Sequence, residues 1–225
     1  MQKQQSPQKA ISASEPSVLP SQTEDSQQQR IVDAMIASCA EKTYAATTIA
    51  DIVKRASISR TTFYKHFTNK RACFDAALRS CITQIQAVAG AAHSPSDGPP
   101  EAVRKAVGAV LELMAEKPAL AQLVMSDAIT VEPAILKRYR SILIPALEGL
   151  WKGAIEPRRP EASDPLLAFG RAQVLIFNQI AAGRTDRLPD LLPEIVYIAL
   201  VPFAGHDEAT KQAQLAAGET VAGPR

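Results

Sequence analysis

The chain has almost no net charge: 25 Lys and Arg against 23 Asp and Glu leave +2 over 225 residues. Bulk charge therefore marks no nucleic-acid binder, and any basic surface must be sought locally. Long apolar runs are missing too. No segment reaches the ~18 uninterrupted apolar residues of a membrane span, and the start has no apolar leader core. The chain is expected to stay in the cytoplasm and to have no membrane partner. Histidine is limited to His66, His93 and His206, none with a second ligand three or four residues away, so no metal site is expected. A Gly-rich phosphate loop and a Gly-x-Ser-x-Gly elbow are equally absent, which argues against an enzyme and leaves no cofactor motif. The three cysteines, Cys39, Cys73 and Cys81, sit singly inside apolar helical patterns and read as buried reduced thiols. A redox-sensing thiol is the alternative, but no neighbouring sequence activates one.

What is present is helix. Apolar residues make up 46% of the chain, enough for a core in one domain or two small ones, and no segment sustains the alternation of a strand. Residues 1–25 are rich in Gln, Ser and Pro with few large apolar residues, the composition of a disordered arm. From Ser26 the pattern changes: Ile31, Met35, Ile36 and Cys39 recur at the period of one helix face, predicting a first helix that ends near Lys42. Thr48-Ile49-Ala50-Asp51 has the form of a capping box and starts a second helix, Ile49 to Arg55. Ser57-Ile58-Ser59 then makes a tight break, with Ser59 placed to cap a third helix through Phe67. Two short helices around such a break form a helix-turn-helix, whose second helix enters a DNA major groove.

The stretch "TTIADIVKRASISRTTFYKHFTNKRACF", residues 47–74, resembles the DNA-binding segment of TetR family transcriptional regulators. The resemblance extends over roughly Gln28 to Ala77 and is carried by the spacing of Thr48, Ile52, Ala56, Ser59, Thr62, Tyr64, Phe67 and Lys70. One departure is Ser57, where family members usually carry glycine. A left-handed backbone strains a serine, so a slightly altered turn is expected.

Electrostatics, read separately, agree. From Lys42 to Arg71 the cations Lys42, Lys54, Arg55, Arg60, Lys65, Lys70 and Arg71 face only Asp51, a local excess of six in a nearly neutral chain. Such a patch suits DNA, although Lys54 and Arg55 also fit an ordinary solvated helix face. Arg60, Thr61, Thr62 and Lys65 fall on the outer side of the third helix as base readers: the cations for guanine edges, the threonine methyls for thymine. Thr48, Tyr64, His66 and Lys70 lie near helix ends and suit phosphate oxygens, with packing or capping equally open for His66. Ile52, Ile58, Phe63 and Phe67 read as the small core locking the two helices together.

A long helix follows from Asn69 to about Ala92, with Phe74, Leu78, Cys81 and Ile85 on one face, then the loop "HSPSDGPP" at 93–100. Further helices are expected at Glu101 to Glu116, Pro118 to Ile129, Pro133 to Ile155 with a kink at Pro145, Asp164 to Ala182, and Leu188 to Phe203. After Gly205 the residues turn small and polar and predict a frayed helix or tail. The fold class is all-α: a three-helix DNA-binding domain over 26–74, then a helical domain over 75–204 and a tail over 205–225.

The last two large helices carry more apolar residues than one stripe hides, so they must be covered on several sides. The resemblance implies a two-fold homodimer built on that pair, around Leu175, Ile176, Ile195 and Leu200; a fully internal core helix is the other reading. It also implies a ligand cavity among the middle helices. Met114, Leu123, Met125, Tyr139, Trp151, Phe169 and Phe177 are its candidate wall, and Asp127, Gln173 and Asn178 its candidate polar groups. Each of these could equally be ordinary core, and Asp127 a helix terminator. The function implied is a ligand-responsive one-component transcriptional regulator, most often a repressor, that grips a palindromic operator on double-stranded DNA and is released by a small apolar or amphipathic effector. The alternative is a constitutive or architectural DNA-binding protein whose C-terminal part only mediates association.

Overall fold

The structure, a computed structural model, describes residues 20–127 and 165–222. Every regular element among these residues is helical, as the absence of strand alternation requires. Helix α1 (Pro20–Ala46) starts inside the stretch expected to be a disordered arm. Its inward face is set by spacing: Ile31, Met35 and Cys39, four residues apart, are fully buried. Regular helix gives out at Thr43, whose φ of 69° and ψ of 160° break the run where the sequence places the end of the first helix.

Helices α2 (Ile49–Ala56) and α3 (Arg60–His66) follow. Helices this short do not persist alone in water, so packing must hold them. Ile52 and Phe63 are wholly buried and Ala56 and Phe67 nearly so; full burial of Ile52 or Phe63 stabilises by about 1.5–3 kcal/mol each. Ile58 plugs the gap between the helices from a half-buried position.

Helix α4 (Lys70–Ala91) begins at Asn69, whose side chain accepts the Ala72 N–H at 2.8 Å. It packs against α1 and then against α5 (Pro99–Glu116). Phe74, Leu78 and Cys81 lie in one apolar core that runs without interruption from the helix-turn-helix into the rest of the molecule. Next come α6 (Pro118–Gln122) and a π-helical turn, Leu123–Asp127, in which all five residues are buried. A single longer α-helix was expected there; the wider turn re-aims its side chains instead. The expected helix at Pro133 to Ile155, with Pro145, lies outside the described residues.

Helix α7 (Pro165–Ala181) matches expectation. The next expected helix is divided into a 3₁₀ segment, Thr185–Leu191, and α8 (Leu192–Ala204). Pro193 has no N–H to donate, which suits a helix start better than an interior. Residues 206–222, expected as a frayed helix or tail, form α9 (His206–Ala222), which turns back at Gly205 (φ 82°) and packs on α8 and α5. Small side chains allow the close approach, with Ala209 and Ala216 fully buried. A buried polar pair reinforces it: Arg104 Nε donates to Gln212 Oε1 at 3.0 Å.

Candidate nucleic-acid interface

The helix-turn-helix is assembled from backbone rules. At α2, Thr48 Oγ1 accepts the Asp51 N–H at 3.2 Å while Asp51 Oδ2 accepts the Thr48 N–H at 2.9 Å, the reciprocal capping box read from the sequence. Lys42 adds an ion pair to Asp51 at 2.7 Å. This cation and the Thr48 donors hold the Asp51 carboxyl well below the usual carboxylate range.

The turn closes regularly despite its serine. Ser57 takes φ 53° and ψ 49°, its N–H bonds to Lys54 O at 3.2 Å, and the Ile58 N–H reaches Val53 O at 3.1 Å. That double bond pattern is the Schellman motif. The departure from glycine therefore leaves strain on Ser57 rather than an altered turn. Arg30, on α1, donates from Nη2 to the Ala56 carbonyl and ties off the same helix end, a contact with no signature in the sequence.

Helix α3 presents one face to solvent. Arg60, Thr61, Tyr64 and Lys65 are exposed; at about 100° per residue they share one side, opposite the buried Phe63. No described side chain pairs with Arg60 or Lys65, which leaves both cations available to base edges. Tyr64, 54% exposed, stands edge-on to Phe63 at a centroid distance of 5.5 Å. Thr62 is turned toward the cap instead: Ser59 Oγ accepts its N–H at 3.0 Å and lies 2.9 Å from its hydroxyl. His66 packs at the far end, Nε2 3.5 Å from Gln27 Oε1 of α1. Elsewhere in the basic stretch Arg55 is ion-paired with Glu41, which draws it away from the outward set.

Lys70 is built into the fold. Its ammonium donates to Tyr44 O at 2.9 Å and Thr47 O at 2.8 Å and sits 4.3 Å from the centre of the Tyr44 ring. Two of its three protons thus brace the α1–α2 connection, leaving at most one for phosphate. Tyr44 itself packs against Phe74, ring centroids 4.5 Å apart, and was not singled out by sequence.

A cleft of about 340 Å³ lies between α1 and α2, lined by Ser38, Glu41, Lys42, Asp51, Lys54 and Arg55. Its polar walls differ from the apolar cavity expected among the middle helices. Of that cavity's expected residues, Met114, Leu123, Met125 and Asp127 are buried. Tyr139, Trp151 and the side chain of Phe169 lie outside the described residues. Gln173 on α7 keeps a buried amide Nε2 with no partner among the described residues, whereas Phe177 and Asn178 are exposed. Asp127, the last residue of the π-helical turn, is 2% exposed, and its Oδ1 accepts the Tyr44 N–H at 3.2 Å. Burial pushes its carboxyl upward, opposed by that N–H.

The residues expected at a dimer face are mostly internal. Ile176, Ile195 and Leu200 are buried in the chain's own core, and Leu175 is half-buried. Among the described residues, Val174 and Phe177, three apart on α7, and Leu215 on α9 are large apolar side chains exposed away from the helix-turn-helix. The three cysteines are fully buried, and burial pushes each thiol up to about 12, as expected of inert core thiols.

Comparison with known proteins supports the same assignment. The family model for bacterial regulatory proteins of the tetR family matches residues 31–77, the span from α1 into α4. The chain is 30% identical over 139 residues to the uncharacterised HTH-type transcriptional regulator YhgD of Bacillus subtilis, covering 58% of this chain and 73% of that one. It is 25% identical over 199 residues to YerO of the same organism, covering 80% and 69%. Among solved structures, the fatty acid degradation regulator FadR of Bacillus halodurans superposes with a TM-score of 0.65 at 17% identity, over 77% of this chain and 94% of that one. The Bacillus subtilis FadR complex with stearoyl-CoA superposes at 0.57 and 18% identity, over 79% and 98%. The family match falls on the helix-turn-helix whose geometry is described above, and the chain belongs to the tetR family of bacterial regulatory proteins.

Proposed function

We propose that the chain is a cytoplasmic, ligand-responsive repressor that binds an inverted-repeat operator as a homodimer. The observation that carries the reading is the outer face of α3, where Arg60, Thr61, Tyr64 and Lys65 are exposed together on a helix locked from behind by Phe63. Arg60 and Lys65 read base edges; Thr48 and Tyr64, both exposed, take phosphates that set register. Thr62, His66 and Lys70 orient the helix rather than read sequence, given their bonds within the head.

Two copies meet through the side of α7 that carries the exposed Val174 and Phe177. The effector is an apolar or amphipathic molecule. Support comes from the apolar core around Leu123 and Met125, from the buried Gln173 amide with no partner among the described residues, and from the stearoyl-CoA bound by a protein of the same fold.

The test is selection from a randomised duplex pool by the purified chain, followed by sequencing. Enriched duplexes should carry two half-sites of inverted symmetry, about one helical turn apart or a multiple of it. A pool that emerges unenriched would overturn the reading.

A further inference from the structure

The connection between α1 and α2 is held in a conformation its own residues do not favour. Thr43 is β-branched, yet stands at φ 69° and ψ 160°, a region open mainly to glycine. Strained backbone of this kind persists only where the surroundings dictate it. The next residue shows what does so. The Tyr44 N–H is taken by Asp127 Oδ1 at 3.2 Å, and the Tyr44 carbonyl accepts from Lys70 at 2.9 Å. Lys70 belongs to the first turn of α4, beside the helix-turn-helix. Asp127 belongs to the buried π-helical turn after α6, in the body of the molecule. Tyr44 is therefore gripped through the two peptide groups that flank it, by a lysine from the head's side on its carbonyl and by a carboxyl from the body's side on its N–H.

We infer that the Asp127 carboxylate, through the Tyr44 N–H, is the contact by which the body holds the strained Thr43–Tyr44 joint and so sets the pose of the helix-turn-helix. The inference rests on the reading that this head binds DNA. Its consequence for regulation follows from chain connectivity. Leu123 and Met125 of the same turn are buried in the wall proposed for the effector, four and two residues before Asp127. An occupant that shifts this turn shifts Asp127, frees the joint to relax, and changes the angle at which α2 and α3 leave α1. Asp127 is in these terms a positioning residue: it touches no DNA.

The test uses the full chain and a duplex selected by the wild-type protein. Asp127→Ala removes the acceptor and should weaken that duplex by a factor between about 5 and 150, the range of ordinary coupling between sites. Asp127→Asn keeps a carbonyl oxygen at the same place and should bind within about twofold of wild type. Thr43→Gly removes the strain, because glycine takes a positive φ without cost. In the double variant Asp127→Ala/Thr43→Gly most of the lost affinity should return.

Circular dichroism melts of all four proteins separate folding from binding, and affinity is compared at a temperature where each is folded. An Asp127→Ala protein that melts earlier but binds as wild type would make Asp127 a structural brace and overturn the inference. A loss that Thr43→Gly does not rescue would also overturn it, by placing the effect away from the joint. Failure of the wild type to select any duplex would instead sink the DNA-binding reading itself.

Discussion

The ammonium of Lys70 lies 2.8 Å from the carbonyl oxygen of Thr47, a residue 1% exposed. A lysine in a DNA-binding patch invites a phosphate role, but this one closes the floor of the α1–α2 connection. Lys70→Met should destabilise the fold by about 2 kcal/mol, the scale of losing hydrogen bonds to a charged donor. Chemical denaturation checks this. A variant as stable as wild type, with only weaker DNA binding, would restore the phosphate role.

Arg60→Ala and Lys65→Ala should do the reverse. Both side chains are exposed and pair with no described residue, so thermal stability should stay near wild type. Preference at individual base pairs should relax by roughly 1–3 kcal/mol, read by competition among duplexes changed one position at a time.

Ser57→Gly should stabilise the chain by about 1 kcal/mol, since a left-handed residue with a Cβ costs roughly that much. The Schellman bonds at Ser57 and Ile58 need no rearrangement for the substitution. A loss of stability would show that the Ser57 side chain makes a contribution its geometry does not reveal.

Acid should erode the cap of α2. The folded-state pKa of Asp51 is depressed by Lys42 and Thr48, so its contribution is complete above the unfolded carboxylate value of about 3.9 and is lost as pH falls below it. The melting-temperature gap between wild type and Asp51→Ala should therefore be constant from pH 7 to about 5 and close on further acidification. A gap that widens in acid would contradict this.

Val174→Glu and Phe177→Glu should yield folded monomers in sedimentation, because both residues are exposed on α7. Leu200→Glu should unfold the chain, because Leu200 is fully buried. Dimers that survive charge at both Val174 and Phe177 would move the interface elsewhere.

Local chemistry was legible from sequence and tertiary placement was not. Thr48, Asp51 and Ser59 all cap the helices their spacing announces, since a cap depends on atoms within three residues. The Lys70 and Asp127 roles depend on partners 26 and 83 positions away, so no local pattern carries them. The α9 helix was obscured because Ala209 and Ala216 bury a face without large apolar side chains. The burial of the expected dimer residues Ile176, Ile195 and Leu200 within the chain was hidden for a related reason. Periodicity shows that a helix is apolar on several sides, but not which side faces the chain's own core and which faces a second copy.

The most direct test is the affinity of the wild-type chain for its selected duplex and for a scrambled duplex of equal length, each followed over a range of salt. The account predicts that the logarithm of affinity falls linearly with the logarithm of salt for both, by about 0.9 per phosphate neutralised. It also predicts that the selected duplex binds at least about a thousandfold tighter at physiological salt, and that Arg60→Ala/Lys65→Ala removes most of that margin. Equal affinity for both duplexes, or affinity indifferent to salt, would contradict it.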